Sequence, residues 1–298
     1  MTTQIRNFAD ADVSRIVDLL NETYRNSYEF VPFNADSLRS RVREGKLKIL
    51  VSIEKDEILG SAAYHDGYWG EEIEWLVVPE CPNKKLVEDT LLREAEKYVT
   101  KGAVFTVVDD GSPQIAEWAE RGYRLEGGLY HLTVRINGLK PLPKVPEGIL
   151  LRSLRPQEER ALVEAVNAGF DWERLKVGAI QEWKDECPPF DEEWVHVAEH
   201  DNKIVSVVAS KPDVQYNKFF GGNRGYLGPA TTLQEYRGKN LASALTVRAM
   251  NLLFEKGMAS AALHTTEQNT ASIALLRKLG FEVGHHWRFM RKNLQPEK

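Results

Sequence analysis

Leu263-His-Thr-Thr-Glu-Gln-Asn-Thr-Ala-Ser-Ile-Ala-Leu-Leu-Arg-Lys-Leu-Gly-Phe281 lies without a gap beside Phe105-Thr-Val-Val-Asp-Asp-Gly-Ser-Pro-Gln-Ile-Ala-Glu-Trp-Ala-Glu-Arg-Gly-Tyr123. Each stretch reads as a strand, a polar loop, an amphipathic helix and a Gly-aromatic pair. Gly122 and Gly280 follow the last helical residue, where a left-handed C′ position is expected. A final strand follows each, Leu129 to Ile136 and His285 to Arg291.

Working outward, the same order of elements recurs on both sides of the chain's middle. Ile5-Arg6-Asn-Phe-Ala-Asp10 resembles Leu151-Arg152-Ser-Leu-Arg-Pro156, a short strand and a turn before a helix. The helices run from Asp12 to about Tyr24 and from Glu158 to about Ala168. Hairpins come next: Leu47 to Ile53 with Ile58 to Tyr64, and Trp194 to Glu199 with Ile204 to Ala209. The polar turns Lys55-Asp-Glu57 and Asp201-Asn-Lys203 support them. Between the halves, Asn137-Gly-Leu-Lys-Pro-Leu-Pro-Lys-Val-Pro-Glu-Gly148 alternates proline with other residues, so it enters neither helix nor sheet and reads as an extended linker. The reading is an internal duplication of an α+β unit, a mixed and mostly antiparallel sheet flanked by helices. The expected boundaries are 1–137, a linker at 138–148, and 149–298.

The halves differ at one loop. Tyr236-Arg-Gly-Lys-Asn-Leu-Ala242 follows a strand, Gly225 to Leu233, and opens a helix, Leu241 to about Glu255. A helix start leaves backbone N–H groups without intrahelical partners, and the macrodipole makes that end partly positive. With Arg237 and Lys239 adding charge, and Gly238 and Ala242 allowing close approach, the loop reads as a cradle for phosphate. In the first half the aligned segment is Val77-Val-Pro-Glu-Cys-Pro-Asn-Lys-Lys-Leu-Val87. There Pro82 removes an amide donor and Val87 puts a branched side chain where Ala242 is small.

These motifs resemble the GNAT superfamily of acyl-CoA-dependent N-acyltransferases. Arg237-Gly-Lys-Asn-Leu-Ala242 is similar to the family's (Gln/Arg)-x-x-Gly-x-(Gly/Ala) loop, with Asn240 in place of the central glycine; Asn tolerates positive φ better than most residues. Asn269 to Phe281 is similar to the second signature, Asn-x-x-(Ala/Ser)-x-x-Leu-Tyr-x-x-x-Gly-Phe, with Leu276 in the Tyr position. The resemblance implies two tandem GNAT-like domains, acetyl-CoA as co-substrate and an N-acetyltransferase acting by direct attack on an amine of a small molecule or peptide. Ala230, Thr231 and Thr232 would offer main-chain bonds to the pantetheine arm. The amides of Arg237, Gly238, Lys239, Asn240, Leu241 and Ala242 would hold the pyrophosphate, and Asn269 would fix the pantetheine or the next strand's splay. The first domain is expected to be a degenerate copy that binds no CoA.

Amide formation from a thioester needs proton removal from the amine, a donor for the oxyanion and a proton for the thiolate. His264 and Glu267 are the candidate bases. The family often protonates the thiolate with the tyrosine that is Leu276 here, which closes that route. Tyr226 and Tyr236 are further phenols and read as packing residues. The acidic, aromatic run Trp183 to Trp194 suits either a cationic amine or a solvated loop. A non-catalytic acyl-CoA sensor or an interaction module is the alternative function, because Leu276 lacks a proton.

Composition narrows the classes further. The chain has 298 residues and a net charge of −5, against the basic footprint that nucleic-acid binding requires. No apolar run is long enough to span a bilayer, and Met1-Thr-Thr-Gln-Ile-Arg6 lacks the apolar core of a secretory signal. A cytoplasmic protein without membrane or nucleic-acid partners is expected. Cys81 and Cys187 form neither a disulfide framework nor a metal pair, and His285-His286 has no third ligand at metal spacing, so no metal is expected.

Overall fold

The computed structural model describes residues 4–294 except Asp56 and Tyr68. The first three residues of the Met1–Arg6 stretch and Asp56 of the first hairpin turn lie outside the described residues. In chain order the elements are β1 Gln4–Asn7, α1 Val13–Tyr24, α2 Ala35–Arg43, β2 Lys48–Glu54, β3 Glu57–Gly67, β4 Gly70–Val77, α3 Lys84–Glu96, β5 Ala103–Asp109, α4 Gln114–Glu120 and β6 Arg124–Arg135. They continue with β7 Leu150–Ser153, α5 Glu159–Phe170, α6 Ala179–Glu186, β8 Val195–His200, β9 Lys203–Pro212, α7 Val214–Phe220, β10 Arg224–Thr232, α8 Leu241–Glu255, β11 Ser260–Thr266, α9 Thr270–Lys278 and β12 Glu282–Asn293. The expected helices and strands are all present, and Gly122 (φ 87°) and Gly280 (φ 96°) are left-handed where the C′ reading put them.

Two compact units form, and each takes one strand from the far half of the chain. Unit 1 consists of the chain up to Leu129 together with the segment from His286, and unit 2 runs from Tyr130 to His285. In unit 1 the strand order is β1-β2-β3-β4-β5-β12; β4 and β5 are parallel, and β12 closes the sheet antiparallel to β5, with Trp287 opposite Asp109 and Asn293 opposite Ala103. Unit 2 repeats the order as β7-β8-β9-β10-β11-β6, with β10 and β11 parallel and the pairs from β7 to β10 antiparallel. Each unit is therefore a mixed, mostly antiparallel sheet with helices on it. The strand that completes unit 1 enters its core: Met290 is 1 % exposed and packs with Val104, Val108 and Tyr123. In unit 2 the same position is filled by Leu132 and Val134 of β6 and by Ile136 just after it.

Local chemistry is duplicated along with topology. Arg6 donates two hydrogen bonds to Asp12, whose carboxylate also caps the Ala9 N–H. Arg152 does the same to Glu158, which accepts from the Arg155 N–H. Each pair ties the first strand of its unit to the start of the first helix. The fourth strand of each unit also carries a β-bulge. In β4 it falls at Glu74, since Ala63 faces Trp75 but Tyr64 faces Ile73. In β10 it falls at Gly228–Pro229, between the pairs Leu227–Ser210 and Ala230–Val208. Counted back from the aligned Val77 and Thr232, Glu74 stands opposite Pro229. Bulges re-aim a strand and end its pairing.

The proline-rich segment contains no helix or strand, as expected, yet it is pinned. Lys140 N–H donates to Asn251 Oδ1, Asn251 Nδ2 donates to Lys140 O, and Lys140 Nζ donates to Leu279 O. Both cysteines are free thiols, Cys187 buried and Cys81 half-buried.

Candidate active site

β10 leaves its neighbour β11 after its third residue. Its register with β11 covers Arg224–Ser260, Gly225–Ala261 and Tyr226–Ala262, and the bulge follows at once. Gly228 there has φ 142°, a conformation that side-chain-bearing residues rarely adopt. Beyond the bulge β10 still pairs with β9, from Ala230–Val208 to Thr232–Ser206. The Leu233 N–H donates to Val205 O and the Ser206 hydroxyl donates to Thr231 O, so odd-numbered residues turn their backbone toward β9. By alternation, Ala230 and Thr232 turn N–H and C=O to the side where β11 has parted. The helix α5 comes close behind this segment: a Cβ on Gly169 would lie 2.2 Å from Thr231 Oγ1.

The loop after β10 ends in two left-handed residues, Gly238 (φ 76°) and Asn240 (φ 62°). For most side chains such a backbone costs about 1–2 kcal/mol, and Asn is among the few that take it readily. Among the described residues, the N–H groups of Gly238, Lys239, Asn240, Leu241, Ala242 and Ser243 have no acceptor in the chain, and the first bond of the helix start is Ala244 N–H to Asn240 O. Arg237 differs from the expectation that its amide joins this row, because its N–H donates to Gln234 O. Its guanidinium instead fastens the loop, donating to Thr232 O at 3.2 Å and Gly169 O at 3.3 Å. Lys239 Nζ lies 4.7 Å from the centre of the Tyr236 ring, and Tyr236 is held by a 2.9 Å bond between its hydroxyl and His200 Nδ1. Asn269 is the N-cap of α9, its Oδ1 accepting from the Ser272 N–H at 3.3 Å.

His264 is exposed on β11, and its Nδ1 is 2.9 Å from the Tyr226 hydroxyl. His131 of β6, buried, stacks on the His264 ring with centroids 4.7 Å apart. Lys211 of β9 brings its ammonium within 5.9 Å of both the Tyr226 and Trp183 ring centres. Glu267 sits on the turn beyond β11. Leu276 is 3 % exposed and belongs to the unit 2 core. Sequence reasoning singled out His264 and passed over two partners. Tyr226 read as a packing residue, and His131 comes from a strand 133 positions away, with no motif around it.

The acidic run Trp183 to Trp194 begins within α6, and several of its polar groups have partners in the chain. Lys184 pairs with Glu192, Lys256 with Glu193, Gln181 donates to Asp185, and Asp191 accepts from the Glu193 N–H. The segment after β9 forms α7, with Arg224 lying over Tyr216 and paired with Asp213. Among the described residues no group of three or more His, Cys, Asp or Glu could hold a metal ion. No helix among them is long and apolar enough to cross a membrane.

In unit 2 a parted parallel pair thus stands beside an amide-lined helix start, and comparison with known proteins gives the class of protein. Residues 154–281 match the Acetyltransferase (GNAT) family. The chain carries a GNAT acetyltransferase domain and is an acyltransferase, of a class whose co-substrate is acetyl-CoA. It is 27% identical over 250 residues to the mycothiol acetyltransferase of Saccharomonospora viridis, covering 80% of this chain and 78% of that one. Among solved structures, a GCN5-related N-acetyltransferase from Sphaerobacter thermophilus aligns with TM-score 0.70 at 18% identity, covering 99% of this chain and 97% of that one. A tandem GNAT protein from the clavulanic acid biosynthesis pathway aligns over 100% of both chains with TM-score 0.66 at 16% identity. The last two speak for the fold alone.

Proposed function

We propose that the protein is an N-acetyltransferase that moves an acetyl group from acetyl-CoA to a primary amine by direct attack, with the co-substrate held by residues 149–298. The observation that carries this reading is the row of unpartnered amides from Gly238 to Ala242 next to the open edge of β10. Successive amides at a helix start suit a pyrophosphate. Ala230 and Thr232 offer their N–H and C=O to the pantetheine arm as an added strand would, and that arm leads to the point where β10 and β11 part. The thioester then lies near Tyr226 and His264. An N–H from the Thr232 region supplies the oxyanion donor, and His264 removes the proton from the attacking amine. Glu267, farther along the turn, is the second candidate base. The first unit keeps the scaffold without the cradle and binds no CoA in this reading.

The acceptor is a small-molecule amine ahead of a peptide amine, since the curated relative is named for mycothiol. The test incubates the full chain with acetyl-CoA and a panel of primary amines and follows released CoA and acetylated product by chromatography. Amine-dependent release supports the reading. Acetyl-CoA binding without release from any amine supports the sensor instead, which the buried, protonless Leu276 also suits.

A further inference from the structure

With Leu276 in the core, the departing thiolate needs another proton source. We propose that Tyr226 is a catalytic residue, the general acid for CoA, and that it works as a relay with His264. This rests on the acetyl-transfer reading above. Three observations carry it. The hydroxyl of Tyr226 and Nδ1 of His264 are 2.9 Å apart, so a proton crosses between them without an intervening water. Tyr226 is the last β10 residue paired with β11, which puts its phenol at the vertex of the opening that receives the thioester. The pair is also set in a fixed frame: His131 stacks on the imidazole at 4.7 Å, and the Lys211 ammonium lies 5.9 Å from the phenol ring centre. The facing groups include a buried histidine from β6 and a cation from β9. The cation offsets negative charge passing through the phenol oxygen.

The step balances as follows. The neutral amine nitrogen forms its bond to the acetyl carbon while His264 Nε2 accepts one N–H proton. As the tetrahedral intermediate collapses, the C–S bond breaks with its electron pair going to sulfur. The Tyr226 O–H gives its proton to that sulfur, and His264 Nδ1–H passes its proton to the phenol oxygen. Nitrogen has lost one hydrogen and sulfur has gained one. Tyr226 ends as it began, and His264 ends neutral with its proton moved from Nδ1 to Nε2, a change that exchange with solvent reverses at this exposed ring.

The experiment measures kcat, KM for acetyl-CoA and the pH profile of kcat for the full chain and its Tyr226→Phe and His264→Ala variants, using whichever amine of the panel gives turnover. Phe keeps the ring, so unchanged acetyl-CoA binding reports an intact site. Tyr226→Phe is expected to lower kcat about 10–100-fold with KM for acetyl-CoA unchanged, and to abolish the basic limb of the profile, which reports an acid that must hold its proton. A purely structural Tyr226 would not move that limb. An unchanged kcat and basic limb in Tyr226→Phe, with turnover lost in His264→Ala, overturns the relay and leaves the base reading standing. Unchanged kcat and pH profile in both variants overturns both roles. No turnover of wild type with any amine overturns the acetyl-transfer reading, and the relay with it.

Discussion

The same scaffold position carries two different loops, and the difference lies in where the helix begins. In unit 2 the chain passes through Gly238 and Asn240, both left-handed, before α8 starts at Leu241. In unit 1, α3 already starts at Lys84, which aligns with Lys239, and no residue between Gly70 and Gly102 has positive φ. The helix has wound two residues into the loop. Lys84 N–H donates to Cys81 O, Pro82 has no N–H, and Val87 N–H donates to Asn83 O. The charges differ as well. Lys84 is paired with Glu80 at 2.5 Å and Lys85 with Glu120 at 2.6 Å, whereas among the described residues Arg237 and Lys239 have no carboxylate partner. In the proposed reading a helix N-terminus alone is thus not a site. The left-handed pair strings the amides in a row, and uncompensated cations leave the row positive.

Removing the residues after His285 is the harshest way to break the comparison, because it takes the sixth strand from unit 1 alone. Loss of Met290 from the core and of the ladder to β5 is expected to strip amide-exchange protection from Ala103–Asp109 by several kcal/mol, since a buried Met and its lost packing alone cost about 2–5 kcal/mol. Protection across β8 and β9 is expected to stay, and its equal loss would show the units to be one cooperative block.

Next in size is a graft of Cys81–Val87 in place of Tyr236–Ala242. Acetyl-CoA affinity is expected to fall at least about 100-fold in a calorimetric titration, since bonds to a charged group are worth about 1.5–3 kcal/mol each. Asn240 tests the left-handed position itself. Asn240→Val is expected to destabilise by about 1–2 kcal/mol in denaturant unfolding, and Asn240→Gly to leave stability and affinity within about 0.5 kcal/mol of the parent. A Val variant that unfolds with the parent would remove the backbone argument for this residue.

The smallest effect tests what the units share. Arg6 holds the Asp12 carboxyl below its ordinary value of 3.8. Burial pushes Glu158 up, but bonds from Arg152 and the Arg155 N–H outweigh it and hold Glu158 below its ordinary 4.5. A folded pKa below the unfolded one stabilises at pH above the unfolded value and is lost as pH falls through the folded value. Stability is therefore expected to drop below about pH 4.5, less steeply in Arg152→Met, where that contribution is gone.

Much of this was legible because it is local. The C′ glycines, the hairpins and the left-handed Asn240 all follow from nearest-neighbour chemistry. The exchange of final strands was not, because Leu129–Ile136 and His285–Arg291 show the same alternation whichever sheet they join. Nor was the Tyr226–His264 bond, since a strand tyrosine packs equally well whether or not its hydroxyl meets an imidazole on the next strand. The partners of the acidic run were hidden for a related reason: Glu192 pairs with Lys184, but Glu193 pairs with Lys256, far along the chain.

The central claim is that only the Gly238–Ala242 cradle binds the coenzyme. Calorimetric titration of the full chain with acetyl-CoA tests it most directly. The account predicts one molecule bound per chain, and none when Tyr236–Ala242 is replaced by the Cys81–Val87 sequence. Two molecules per chain, or one that survives the replacement, would contradict it.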